Sequence, residues 1–161
     1  DLHSAAPEAA RWRQADISDH YSHGGSVSKT IEGGCLCGAV RYRIHGKPLV
    51  SVTCQCRSCR RASGAAVVPW LHLSSESFTF VAGQPAEFSS STSVTRTFCQ
   101  RCGTPLTYWR SDYGATIDVT TCSLDDPEAC PPVAHLWTSH RLCWVKLADD
   151  LPCFAEGLPS S

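Results

Sequence analysis

The chain has 161 residues, 42 % of them hydrophobic and 18 % charged, with a net charge of −1. That length suits one domain with a sizeable core, and near neutrality supplies no electrostatic footprint for nucleic acid or an anionic membrane. No apolar run approaches a membrane span, and the first residues lack the apolar core of a signal peptide, so the expected setting is cytoplasmic, with neither nucleic acid nor membrane as partner.

Residues 1–28 differ from the rest and read as an extension and linker. Ala5, Ala6, Ala9 and Ala10 around Glu8 suggest a short helix over 8–16, followed by a polar, glycine-containing stretch with His20 and His23. Both histidines are metal-capable but read as linker residues. A single zinc-binding domain is expected over 29–155 and a tail over 156–161. Within the domain, Val40, Tyr42 and Ile44 alternate with Arg41 and Arg43, the pattern of a half-buried strand. Further strands are expected at 49–53, 66–73, 78–82, 87–90, 94–98, 106–110 and 115–120, with turns at Gly46-Lys47-Pro48 and Gly83-Gln84-Pro85. Helix is expected only at 56–62, with a turn at 127–129. Many short, evenly spaced strands predict a mainly β fold. In the tail, Trp144, Leu147, Leu151 and Phe154 are expected to cover an open side of the sheet, and 157–161 to fray.

Seven of the eleven cysteines fall into three clusters: Cys35 and Cys37; Cys54, Cys56 and Cys59; Cys99 and Cys102. Adjacent C-x-C pairs are poorly placed to bridge each other, and the count is odd, so metal binding outweighs a disulfide framework. Free thiolates in turn imply a reducing compartment. Cys35 and Cys37 with Cys99 and Cys102 make a four-thiolate set, each half a tight turn followed by a glycine. Zinc is the expected ion, since C-x-C is uncommon in rubredoxin-like or iron–sulfur sites. Closing such a site joins segments more than sixty residues apart, so it is structural in character.

Cys54, Cys56 and Cys59 supply three ligands. Three thiolates on zinc leave a charge of about −1 and one open position, which can take a thiol, a water or a carbonyl. The competing reading is a second structural site, completed by a histidine or by Cys122. Arg57, Arg60 and Arg61 crowd the trio and suit either a solvated surface or a grip on substrate carboxylates. Cys122, Cys130, Cys143 and Cys153 stand singly and read as core or incidental. His135, Trp137 and Trp144 read as core aromatics and a satisfied histidine rather than a pocket.

Three stretches together resemble the glutathione-dependent formaldehyde-activating enzyme family, which also contains centromere protein V. They are Gly33-Gly34-Cys35-Leu36-Cys37-Gly38-Ala39-Val40-Arg41-Tyr42, the run from Cys54-Gln55-Cys56-Arg57-Ser58-Cys59 to Gly64, and Phe98-Cys99-Gln100-Arg101-Cys102-Gly103-Thr104-Pro105-Leu106. The resemblance spans roughly residues 31–154. It implies a β-tent fold of small antiparallel sheets, a structural zinc on Cys35, Cys37, Cys99 and Cys102, and an active zinc on Cys54, Cys56 and Cys59. It also implies condensation of glutathione with formaldehyde to S-hydroxymethylglutathione, a carbon–sulfur lyase-type activity. The small-molecule partner would be glutathione or another thiol, or a thiol adduct; a grip on its carboxylates by Arg57, Arg60 and Arg61 is read from their charge beside the trio, since the resemblance carries over the metal ligands alone. Two other readings are a non-catalytic zinc module that binds a small ligand or protein, and a thiol carrier or metal store.

Overall fold

The computed structural model describes residues 30–158; the expected helix at 8–16, His20 and His23 lie outside the described residues. In chain order the elements are β1 (Ile31–Gly34), β2 (Arg41–Ile44), β3 (Val50–Cys54), α1 (Arg57–Ser63), β4 (Val68–Ser74), β5 (Phe78–Ala82), β6 (Ala86–Ser91), β7 (Val94–Phe98), β8 (Pro105–Arg110), β9 (Thr116–Thr120) and β10 (His135–Leu136), with short 3-10 turns between. One sheet has the order β1-β2-β5 and the other β10-β3-β4-β9-β8-β7-β6. Among the described residues every pairing between these strands is antiparallel except that of β10 with β3. The mainly β architecture with cysteine clusters that can hold metal is as expected.

The alternation read at Val40 to Ile44 has its physical counterpart. Tyr42 and Ile44 are wholly buried, while Arg41 pairs with Asp125 and Arg43 with Glu32 outside. Tyr42 and Ile44 meet Leu71, Leu73, Leu106 and Val119, so the three-stranded sheet packs on one face of the seven-stranded sheet. Burying each such aliphatic side chain contributes roughly 1.5–3 kcal/mol, which makes this layer the main apolar core. Strand β1 is not a strand by composition, since it ends in Gly33-Gly34. Gly33 is needed for space: a Cβ there would lie 2.4 Å from the Tyr42 hydroxyl and 2.6 Å from the Ser123 carbonyl.

The second cluster covers the other face. Val50, Val52, Cys54, Cys59, Val68, Trp70 and Ala134 pack with Tyr108, Leu136, Trp137 and Phe154. The C-terminal segment runs beside β10, where His135 N–H donates to Pro152 O (2.8 Å) and Phe154 N–H to His135 O (2.7 Å). His135 is a satisfied histidine, as read: Nδ1 lies 2.6 Å from Thr53 Oγ1 and Nε2 2.8 Å from Asp149 Oδ1. Trp144 corrects the expectation of a covering aromatic. It is 69 % exposed, and Val145 is the buried residue of that stretch. Leu158 packs on the second cluster rather than fraying. Among the four single cysteines only Cys130 is buried; Cys122, Cys143 and Cys153 are exposed.

Candidate metal centres and the adjoining cleft

Two hairpin turns build the first cluster. In one, Cys35 N–H bonds Val40 O and Gly38 N–H bonds Cys35 O; in the other, Cys99 N–H bonds Thr104 O and Gly103 N–H bonds Cys99 O. Gly38 (φ 73°) and Gly103 (φ 78°) take the left-handed conformation that closes each turn. All four sulfurs lie within 4.8 Å of one another. Cys35 Sγ to Cys37 Sγ is 3.5 Å and Cys37 Sγ to Cys99 Sγ 3.8 Å. Tetrahedral thiolate coordination with bonds near 2.3 Å puts sulfurs roughly 3.8 Å apart, so this donor set fits such an ion.

Further hydrogen bonds hold the set. Val40 N–H donates to Cys35 Sγ (3.2 Å), and Leu36 N–H to Thr104 Oγ1 (3.1 Å), tying the two turns together. The Thr104 hydroxyl lies 3.2 Å from Cys102 Sγ. Hydrogen bonds from the Thr104 side chain, then its backbone, push the Cys102 thiol down to about 5. A thiolate there at neutral pH is the form a metal requires.

The second cluster is made by one short stretch where β3 passes into α1. Cys54 ends β3, Cys56 caps α1 and Cys59 sits in its first turn. The cap is a sulfur one: Cys56 Sγ accepts from Cys59 N–H at 3.3 Å. Gly64 (φ 70°) closes the helix, its N–H bonded to Arg60 O at 2.8 Å. The three sulfurs lie within 4.8 Å of one another, so the trio also suits a metal. Hydrogen bonds from Cys54, then Cys59, push the Cys56 thiol down to about 2, while the same bonding and burial push Cys54 up. Gln55 lies between two of the ligands, and both polar atoms of its amide are buried without a hydrogen-bond partner among the described residues. Cys122 does not join this group, and no histidine does among the described residues.

A cleft of about 690 Å³ opens beside the trio, with Cys59 in its wall. That volume lies in the usual range for small-molecule sites. Its walls carry Arg61 from α1, Trp70 from β4, Phe88 from β6, Arg96 from β7 and Tyr108 from β8. Strand register explains the convergence: Phe88 faces Arg96, and Arg96 faces Tyr108, so the three share one face of the sheet. Arg61 thus borders the cleft. Arg60 does not line it and donates from Nε to Gln55 O (3.1 Å), bracing the turn between ligands; Arg57 is exposed beyond the lining. Sequence reasoning missed Arg96, Tyr108 and Trp70, which stand on three separate strands.

The family model described as glutathione-dependent formaldehyde-activating enzyme matches residues 30–140. A Halomonas elongata protein described as a "putative glutathione-dependent formaldehyde-activating enzyme" is 28 % identical, over 78 % of this chain and 87 % of its own length. A crystal structure of a Rhodobacter sphaeroides protein aligns with a TM-score of 0.48 at 25 % identity, covering 58 % of this chain and 87 % of that one. The family match takes in every strand, α1 and both cysteine clusters, and on that extent the chain belongs to the glutathione-dependent formaldehyde-activating enzyme family.

Proposed function

We propose that this protein binds glutathione in the cleft beside Cys54, Cys56 and Cys59 and catalyses its addition to formaldehyde, or the reverse cleavage of S-hydroxymethylglutathione. The observation that carries the reading is a three-thiol metal set, without a fourth protein ligand among the described residues, whose Cys59 lines a ligand-sized cleft. Family membership supports the same thiol chemistry. The ion in both clusters is read as zinc, two per chain. The four-thiol set holds the fold, and the trio is the reactive one. A zinc held by three thiolates supplies an open position at which an incoming thiol stays ionised at neutral pH.

The reaction balances without an oxidant. The thiol sulfur forms a bond to the formaldehyde carbon, the carbonyl π pair moves to oxygen, and the proton lost by the thiol ends on that oxygen. The chain's own residues shape where this happens. Trp70 and Tyr108, with ring centroids 6.0 Å apart, form an apolar floor that limits water. Arg61 brings positive charge to one wall, so of the three helix arginines it is the one placed to meet a carboxylate.

Two measurements test this. Metal content with zinc-edge X-ray absorption should give two zincs per chain, one with three sulfurs that gains a fourth on addition of glutathione. NMR exchange spectroscopy should show faster exchange between glutathione and S-hydroxymethylglutathione with protein than without. Two saturated four-sulfur sites indifferent to glutathione, with exchange at the uncatalysed rate, would return the chain to a binding or structural role.

A further inference from the structure

The cleft has a charge pattern that the sequence did not disclose. Arg61 and Arg96 line it, and among the described residues no Asp or Glu does. Other arginines of the fold have carboxylate partners: Arg41 with Asp125, Arg43 with Glu32 and Arg110 with Asp112. Arg57, Arg60, Arg61, Arg101 and Arg141 also lack an ion pair among the described residues, but all except Arg60 are exposed, and Arg60 donates to Gln55 O. Arg96 is half-buried and pairs with no carboxylate among the described residues; its one anionic neighbour is the thiol trio, through Cys59.

Its position is fixed on three sides. Nε donates to Ser90 Oγ at 3.3 Å, the guanidinium carbon lies 4.7 Å from the Tyr108 ring centroid, and Nη2 lies 4.0 Å from Cys59 Sγ. A guanidinium stacked on an aromatic face keeps its donor edge in a set plane, which suits bidentate carboxylate recognition. Nη1 donates to no partner among the described residues.

We infer that Arg96 anchors a carboxylate of the ligand whose sulfur docks beside Cys59, so that the cleft selects acidic thiols over neutral ones. This rests on the reading of the cleft as a thiol site, and it deepens that reading by assigning its specificity. The closeness of Nη2 to Cys59 puts the carboxylate anchor and the sulfur position in one cleft, so the ligand class is a thiol that carries a carboxylate on the same small molecule. Arg61 on the opposing helix adds a second positive charge that favours a dianion.

The test is calorimetric binding to the zinc-loaded protein, using four probes: glutathione, its diethyl ester, 3-mercaptopropionate and the neutral 2-mercaptoethanol. The wild type should bind glutathione at least tenfold more tightly than its diethyl ester, which lacks both carboxylates, and 3-mercaptopropionate at least tenfold more tightly than 2-mercaptoethanol. Arg96→Gln should abolish that preference, and Arg141→Gln, exposed outside the cleft, should keep it. Arg96→Met, which retains packing on Tyr108, serves if the glutamine variant does not fold. Equal affinity for acid and ester in the wild type overturns the inference. So does an intact preference in the Arg96 variants, or a loss of bound zinc in them that leaves the preference untouched. The two readings fail separately. Formaldehyde exchange accelerated equally for glutathione and its ester would sink the role of Arg96 and keep the proposed reaction. Arg96-dependent binding of 3-mercaptopropionate without any accelerated exchange would do the reverse.

Discussion

The two cysteine clusters use the same side chain for different ends. Cys37 and Cys99 touch across 62 residues of sequence, whereas Cys54, Cys56 and Cys59 come from one strand–helix junction. Closing the longer loop costs about 2 kcal/mol more chain entropy than closing a stretch of five or so residues. The distant set therefore has to be held by the folded sheets, and a metal in it holds them in return. The local set needs only one turn and a capped helix. It is free to face a cleft, and Cys59 does.

The largest effect should follow from Cys99→Ser. Structural zinc contributes on the order of 10 kcal/mol in small zinc peptides, comparable to the whole stability of a domain at about 5–15 kcal/mol. The variant should lose cooperative thermal unfolding and accumulate as aggregate; soluble, cooperative protein with two zincs would break the division of roles. Next comes Gly33→Ala, two residues before Cys35. The new methyl meets the Tyr42 ring and the Ser123 carbonyl, a backbone contact that cannot swing away. A loss of about 1–3 kcal/mol is expected from denaturant midpoints, with both zincs retained.

Cys56→Ser probes the other side of the comparison. Serine is a good helix cap, so α1 should persist while one zinc is lost, and the melting temperature should stay within a few degrees. Cys56→Ala removes cap and ligand together and should cost about 1 kcal/mol more. If metal analysis still finds two zincs in the serine variant, the trio does not hold one. The smallest effect concerns Asp125, whose hydrogen bond to Arg41 holds its carboxyl below the usual range. A lowered folded pKa means that the pair's stability is present above about pH 4 and is lost as pH falls through the folded value. Both groups are well exposed, so the gain is below about 1 kcal/mol. Asp125→Asn should remove it above about pH 4, and the difference from the wild type should vanish as pH falls through the lowered folded value, as read from urea midpoints.

Local pattern made much of this legible. Strands at Phe78–Ala82 and Val94–Phe98 coincide with those expected at 78–82 and 94–98, and the cysteine spacing located both clusters. What stayed hidden depends on pairing across the chain. Strand β10 is two residues long and exists because β3 lies beside it. Strand β1 carries two glycines, chosen for close approach rather than β-propensity. The placement of Arg96 in the cleft required the register that sets it against Tyr108 and beside Cys59, whereas the sequence pointed to the neighbours of the trio along the chain. Trp144 shows the converse error: its apolar surface suggested burial, but the backbone turns Val145 inward instead.

The sulfur cap on α1 has a consequence for the order of assembly. Cys54, Cys56 and Cys59 need no distant partner, so an unfolded chain already offers them to metal. An ion bound before folding stabilises the native state less than one that demands it, because it favours both ends of the equilibrium. In refolding, the trio can load first and nucleate α1 around its own cap, but the four-cysteine set must wait until β1, β2, β7 and β8 have met. Metal supplied late should thus govern the final locking of the sheets, while metal supplied early marks where the helix begins.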